Sequence, residues 1–154
     1  MMSLCCKILQ KLDGKTLVTA ESCTGGGIGA ALTAVPGSSK VYKGGIICYT
    51  NWVKQTILKV DSDTLEREGA VSAEVARQMA EGARRVLEAD VAVSVTGLAG
   101  PEGDDRGNSV GTVYLGYADE NKTEVCRFQF DGSREEIREQ AVHFALELVL
   151  QNNP

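Results

Sequence analysis

Three short apolar runs, each ending in a loop of glycine or hydroxyl residues, two of which open directly into helices, constrain this 154-residue chain more than any other feature. The runs are Thr16–Ala20, Gly45–Tyr49 and Asp90–Thr96, each the length of a strand buried on both faces. The loops that follow them are Glu21–Gly27, Thr50–Asn51 and Thr96–Gly103. Helical spacing joins Cys5, Ile8, Leu9 and Leu12 within residues 3–12. A small-residue helix is expected from Gly25 to about Val35, stopped by Pro36-Gly37, and another from Trp52 to Leu58 with Asn51 as N-cap. Ser72 reads as the N-cap of a helix carrying Val75, Met79, Val86 and Leu87. Gly111–Ala118 and Glu124–Phe130 read as a hairpin, with Cys126, Phe128 and Phe130 alternating with Arg127 and Gln129. A last helix opens at Ser133, whose S-x-x-E spacing to Glu136 is a capping box. Strands alternating with helices, then a hairpin and a helix, predict an α/β fold. The expected form is one three-layer α/β/α domain over residues 1–154 with a mixed, mostly parallel sheet of about five strands.

The formal net charge of −5 argues against wrapping a nucleic-acid backbone, though backbone N–H groups still suit a single phosphate. No apolar run approaches the roughly 18 residues of a membrane span, and Lys7 and Lys11 interrupt the first helix, so neither membrane nor secretion is expected. Cys5, Cys6, Cys23, Cys48 and Cys126 are odd in number and form no C-x-x-C pair, which argues against a disulfide framework and a zinc site. A cytoplasmic protein is expected. Asp104 and Asp105 stand without other clustered ligands and read as a polar loop rather than a metal site.

Three such loops at the carboxyl ends of neighbouring strands form a candidate ligand site. Helix N-termini at Gly25 and Trp52 suit a phosphate or an oxyanion, whereas glycines that merely permit tight turns are the bland alternative. Ser22, Cys23 and Thr24 are the possible nucleophiles. His143, the only histidine, falls inside the last helix and reads as a packing or surface residue, so a histidine-based triad lacks parts. A serine is also activated by a neutral lysine. Lys54 stands at the start of a helix, where the dipole and any burial lower its affinity for a proton; taken alone, however, it reads better as an ordinary solvated lysine. Arg134 and Arg138, an i, i+4 pair, suit a phosphate or carboxylate, or else pair with Glu135, Glu136 and Glu139.

Ala20-Glu21-Ser22-Cys23-Thr24-Gly25-Gly26 resembles the signature of the CinA C-terminal domain family, whose characterised members are nicotinamide mononucleotide deamidases. The resemblance continues through Gly44-Gly45, Tyr49-Thr50-Asn51, Lys54, Gly69-Ala70-Val71-Ser72, Met79-Ala80-Glu81-Gly82 and Thr96-Gly97-Leu98-Ala99-Gly100-Pro101. Gly111-Thr112-Val113-Tyr114 and the Arg134 and Arg138 pair complete it, over about residues 5 to 150. It implies hydrolysis of the nicotinamide amide to nicotinic acid mononucleotide plus ammonia, with Ser22 as nucleophile and Lys54 as base. Substrate contacts are implied for Cys23, Thr24, Gly25, Gly26, Tyr49, Asn51, Thr96 and Gly97. An arginine of the last helix is implied as well, matched by Arg138 with Arg134 as second candidate. The phosphate is expected on helix N-termini and a nearby arginine, and backbone N–H groups from Cys23 to Gly25 are candidate oxyanion donors. A nucleotide substrate, no cofactor, no metal and a homo-oligomer are the accompanying expectations. Longer relatives carry an N-terminal domain linked to ADP-ribose pyrophosphatase activity, for which this sequence has no room.

The sequence departs from the family pattern at Thr50, where serine is usual, and at Ser109, where proline is usual. Glu102, Asp104 and Asp105 add negative charge after Pro101, which bears on substrate preference. Two rival readings stand beside the amidase. One is a non-catalytic nucleotide-binding module linked to competence or the DNA-damage response; the other is a hydrolase using Cys23 as a low-pKa thiol.

Overall fold

A computed structural model describes residues 1–154. In chain order the elements are α1 (Met2–Lys11), β1 (Leu17–Glu21), α2 (Gly27–Thr33), β2 (Tyr42–Ile47), α3 (Asn51–Thr56), α4 (Ser62–Glu68), α5 (Ala73–Val86), β3 (Val91–Gly97), β4 (Thr112–Ala118), β5 (Thr123–Gln129) and α6 (Arg134–Gln151). A short 3₁₀ turn, Ser38–Lys40, precedes β2. The strands form one sheet in the order β2-β1-β3-β4-β5. β1 pairs in parallel with β2 and β3, and β4 pairs antiparallel with β3 and β5, so four strands point one way and β4 alone opposes them.

The chain steps from β1 outward to β2 and then back across β1 to β3. Parallel crossovers are right-handed, so reversing the direction of travel puts the connecting helices on opposite faces. α2 accordingly shares a core with α1 and α6, built on Leu17 of β1, Val91, Val93 and Val95 of β3, and Val113, Leu115 and Tyr117 of β4. The other face is smaller. Val18, Ala20 and Ala92 meet Val75, Met79 and Ala83 of α5. Small strand residues let that helix come close: Ser94 Oγ donates to the Ala76 carbonyl at 2.6 Å, and a Cβ at Gly116 would lie 2.5 Å from the same oxygen. Each fully buried aliphatic side chain in these cores contributes about 1.5–3 kcal/mol. The three-layer α/β/α arrangement is therefore present.

Several boundaries differ from the sequence expectation for identifiable reasons. α2 begins at Gly27, not Gly25, because Gly25 (φ 59°) and Gly26 (φ 103°) adopt left-handed conformations that turn the chain before the helix starts. The N-cap of α3 is Thr50, in extended conformation with Oγ1 accepting from the Val53 N–H at 3.4 Å; Asn51 is the first helical residue. β2 starts at Tyr42, three residues before the expected run, and ends at Ile47. α4 had no sequence counterpart: its seven residues include a single large apolar side chain, Leu65. The N-cap role of Ser72 and the Ser133–Glu136 capping box are present as expected.

Candidate active site

The reversal of chain direction at β1 separates the loops after β1 and β3 and leaves a cleft of about 360 Å³ beyond their carboxyl ends. Ser22, Cys23, Tyr49, Asn51, Lys54, Thr96, Gly97 and Arg134 line it, joined by Ala70, Leu98, Gly100 and Glu102 among others. Thr24, Gly25, Gly26 and Arg138, also expected to contact substrate, do not line the cleft; they support the Ser22 loop from behind. His143 lies on α6 away from the cleft, its Nε2 3.1 Å from Glu147 Oε1.

Ser22 follows β1 directly, and its N–H still donates to the Val95 carbonyl of β3 at 3.0 Å. The chain then turns sharply, the Gly25 N–H donating to the Ser22 carbonyl at 3.1 Å. Arg138 fixes the back of the turn, with Nε donating to the Cys23 carbonyl at 3.0 Å and Nη2 to the Thr24 carbonyl at 3.1 Å. With the carbonyls so occupied, the N–H groups of Cys23 and Thr24 donate to no carbonyl or side-chain oxygen of the protein. Gly25 is not available as a third donor, since its N–H is spent within the turn.

Lys54 is 1% exposed and forms no ion pair. Its Nζ lies 3.0 Å from Ser22 Oγ and donates to the carbonyls of Cys48 (2.8 Å) and Tyr49 (3.5 Å). A neutral amine has two N–H bonds and one lone pair. Two carbonyls and one hydroxyl oxygen accept all three N–H bonds of an ammonium; once the amine is neutral, the carbonyls take its two N–H bonds and the lone pair is left for the Ser22 hydroxyl. Burial lowers the Lys54 pKa, because removing the ammonium from water costs more than nearby dipoles return. Only thiolates at Cys48 and Cys23 would oppose this, and burial raises both thiols to about 11, so they are uncharged near neutrality. The same shift removes the basis for a reactive Cys23: desolvation outweighs its own backbone N–H and the nearby Lys54, Arg138 and Arg134 that would lower its pKa.

Glu21 is the residue that sequence reasoning passed over. It is 2% exposed; Oε1 accepts from Thr24 Oγ1 (2.8 Å) and the Ile28 N–H (2.8 Å), and Oε2 from the Gly29 N–H (3.0 Å). Seven residues upstream, Glu21 thus caps α2, whose N-cap residue Gly26 has no side chain to do so. The expected phosphate seat on that helix N-terminus is therefore filled by the protein's own carboxylate. Strand alternation held the signal: Leu17, Thr19 and Glu21 share the face toward α2, and a carboxylate there needs a partner.

At the rim, Arg134 donates through Nη1 to the Gly100 carbonyl and through Nη2 to Tyr49 Oη at 3.4 Å, tying the β3 loop to the β2 end. The two arginines of α6 therefore do different work, Arg134 in the cleft and Arg138 behind the Ser22 loop. No group of three or more His, Cys, Asp or Glu side chains is placed to hold a metal ion, and no helix is long and apolar enough to cross a membrane.

The sequence model of the CinA C-terminal domain matches residues 2–152. A CinA-like protein of Endomicrobium trichonymphae is 47% identical over 135 residues, covering 88% of this chain and 32% of the relative. A putative competence-damage inducible protein of Caldanaerobacter subterraneus is 44% identical over 143 residues, covering 93% and 34%. The chain thus spans about one third of the length of the curated relatives it matches. The crystal structure of a competence-damaged protein (CinA) superfamily protein from Escherichia coli superposes with a TM-score of 0.96 at 38% identity, covering 98% of this chain and 89% of that one. That of a competence/damage inducible protein from Agrobacterium tumefaciens gives 0.95 at 40% identity, covering 99% and 95%. With its fold, its loop sequences and nearly its whole length matched, the chain belongs to the CinA C-terminal domain family.

Proposed function

We propose that this protein is an amidohydrolase that converts nicotinamide mononucleotide to nicotinic acid mononucleotide and ammonia, using Ser22 as nucleophile and Lys54 as base. The observation that carries the reading is the 3.0 Å approach of Lys54 Nζ to Ser22 Oγ in a site where the amine is buried without a counter-ion. Family membership supports it through the residues that this sequence shares with the deamidase pattern.

In this mechanism the neutral Lys54 amine takes the Ser22 hydroxyl proton as Oγ bonds to the carboxamide carbon. The carbonyl oxygen becomes an oxyanion, received by the N–H group of Cys23, which lines the cleft; a well-placed donor of this kind is worth about 3–4 kcal/mol. The carbon–nitrogen bond then breaks, and the Lys54 ammonium returns its proton to the departing ammonia. Water attacks the acyl-serine as Lys54 accepts its proton; Lys54 then passes that proton to Ser22 Oγ as the acyl–oxygen bond breaks, restoring both groups, and the released acid ionises to the carboxylate. Arg134 is the cationic side chain in the cleft suited to the substrate phosphate.

Ammonia release from nicotinamide mononucleotide, with nicotinamide and its riboside as controls, tests the reading. Release from the nucleotide well above both controls is expected; equal release from the riboside removes the role of the phosphate, and no release from any removes the reaction.

A further inference from the structure

Of the three acidic residues after Pro101, Asp104 holds the loop, while Glu102 and Asp105 accept no hydrogen bond and only Glu102 lines the cleft. Asp104 accepts hydrogen bonds from the N–H groups of Arg106 (3.0 Å) and Asn108 (2.9 Å) and from the Asn108 side-chain amide (2.7 Å), so it closes the turn on itself. Arg106 then fastens the turn to the end of α4, donating to the carbonyls of Arg67 (2.8 Å) and Glu66, while the Asn108 amide reaches the Val71 carbonyl at 3.3 Å. Glu102 takes no part in this fastening. It is exposed, accepts no hydrogen bond, and lines the cleft.

The charged side chains of the cleft are then three: Lys54, which the mechanism uses uncharged, Arg134 and Glu102. One cation and one anion at the rim complement a ligand that has a cationic part and an anionic part, whereas a purely anionic ligand meets repulsion from Glu102. We propose that Glu102 is a specificity-determining residue that favours a cationic ring bearing the amide, in a substrate whose single anionic group is held by Arg134. This rests on the function proposed above, since a nicotinamide ring is cationic when joined to ribose and neutral when reduced.

The test uses binding, which survives if the reaction assignment fails. Calorimetry compares the Ser22→Ala and Ser22→Ala/Glu102→Gln proteins with nicotinamide mononucleotide and with its 1,4-dihydro form, whose ring is neutral and whose phosphate is the same. At low ionic strength Glu102→Gln should weaken the cationic ligand about threefold, as suits an exposed charge pair, and leave the neutral-ring ligand nearly unchanged. In 1 M salt, where the screening length is about 3 Å, the difference should vanish. Glu102→Lys should enlarge it. Equal effects on both ligands, no effect on either, or binding of neither overturns the proposal. Charge-selective binding without ammonia release from the wild type overturns the reaction and keeps the proposal; ammonia release without charge selectivity does the reverse.

Discussion

Lys54 Nζ sits 3.0 Å from Ser22 Oγ although the two residues belong to different strand–helix units, 32 positions apart. The parallel pairing of β1 with β2 makes this possible: Glu21 is opposite Ile47, so the residues just beyond them, Ser22 and Cys48, leave the sheet side by side. Six residues after Cys48, the short α3 returns the Lys54 side chain to the Cys48 carbonyl.

The buried amine gives a pH signature. Folding lowers the Lys54 pKa below the ordinary 10.5, so between the folded value and 10.5 the unfolded state binds more protons and stability rises with pH. The contribution is complete above 10.5 and is lost as pH falls through the folded value. Denaturant unfolding of wild type and Lys54→Met should show wild type gaining relative to the variant as pH rises towards 10.5; Cys23 and Cys48, common to both proteins, largely cancel in the difference. Activity should climb over the same limb, since only the neutral amine takes a proton. Lys54→Arg should stay inactive, because a guanidinium does not deprotonate in this range.

Glu21→Gln should both destabilise the protein and slow it. The amide NH₂ would face the N–H of either Ile28 or Gly29, leaving a buried donor unpaired at a cost of about 1–3 kcal/mol. Urea unfolding reads the first effect. The second should appear as a lower kcat with little change in KM, because the unpaired donor loosens the cap to which Thr24 ties the turn carrying Ser22.

Arg134 and Arg138 should separate kinetically. Arg134→Ala removes a cation from the cleft and should raise KM for the phosphorylated substrate about tenfold, the effect of one charge-assisted hydrogen bond, with kcat nearly kept. Arg138→Ala releases the Cys23 and Thr24 carbonyls and should lower kcat while KM changes little. Steady-state kinetics on the two variants distinguishes these outcomes.

The sequence was most informative where a residue's role is local. Ser133 and Glu136 are three apart and cap each other, so spacing alone identified them. The loops after β1 and β2 were legible because strand, turn and helix follow one another directly, and the loop after β3 by its glycines. Lys54 was legible only through resemblance, since its burial depends on a β1–β2 register that no local pattern encodes. Arg138 and Arg134 look alike on one helix face, and only the path of the Ser22 loop, more than 100 residues away in sequence, sets them apart. Arg106 reaches α4 across 39 residues, so its part in holding the acidic loop left no mark near it. α4 itself is too short and too polar for periodicity to reveal.

The most direct measurement of the central claim is ammonia release from nicotinamide mononucleotide by Ser22→Ala, Cys23→Ala and Lys54→Met beside the wild type, each checked for folding by circular dichroism. Loss of at least about three orders of magnitude in Ser22→Ala and Lys54→Met, with Cys23→Ala within about threefold of wild type, is the predicted pattern. A folded Ser22→Ala or Lys54→Met protein that retains the wild-type rate contradicts it.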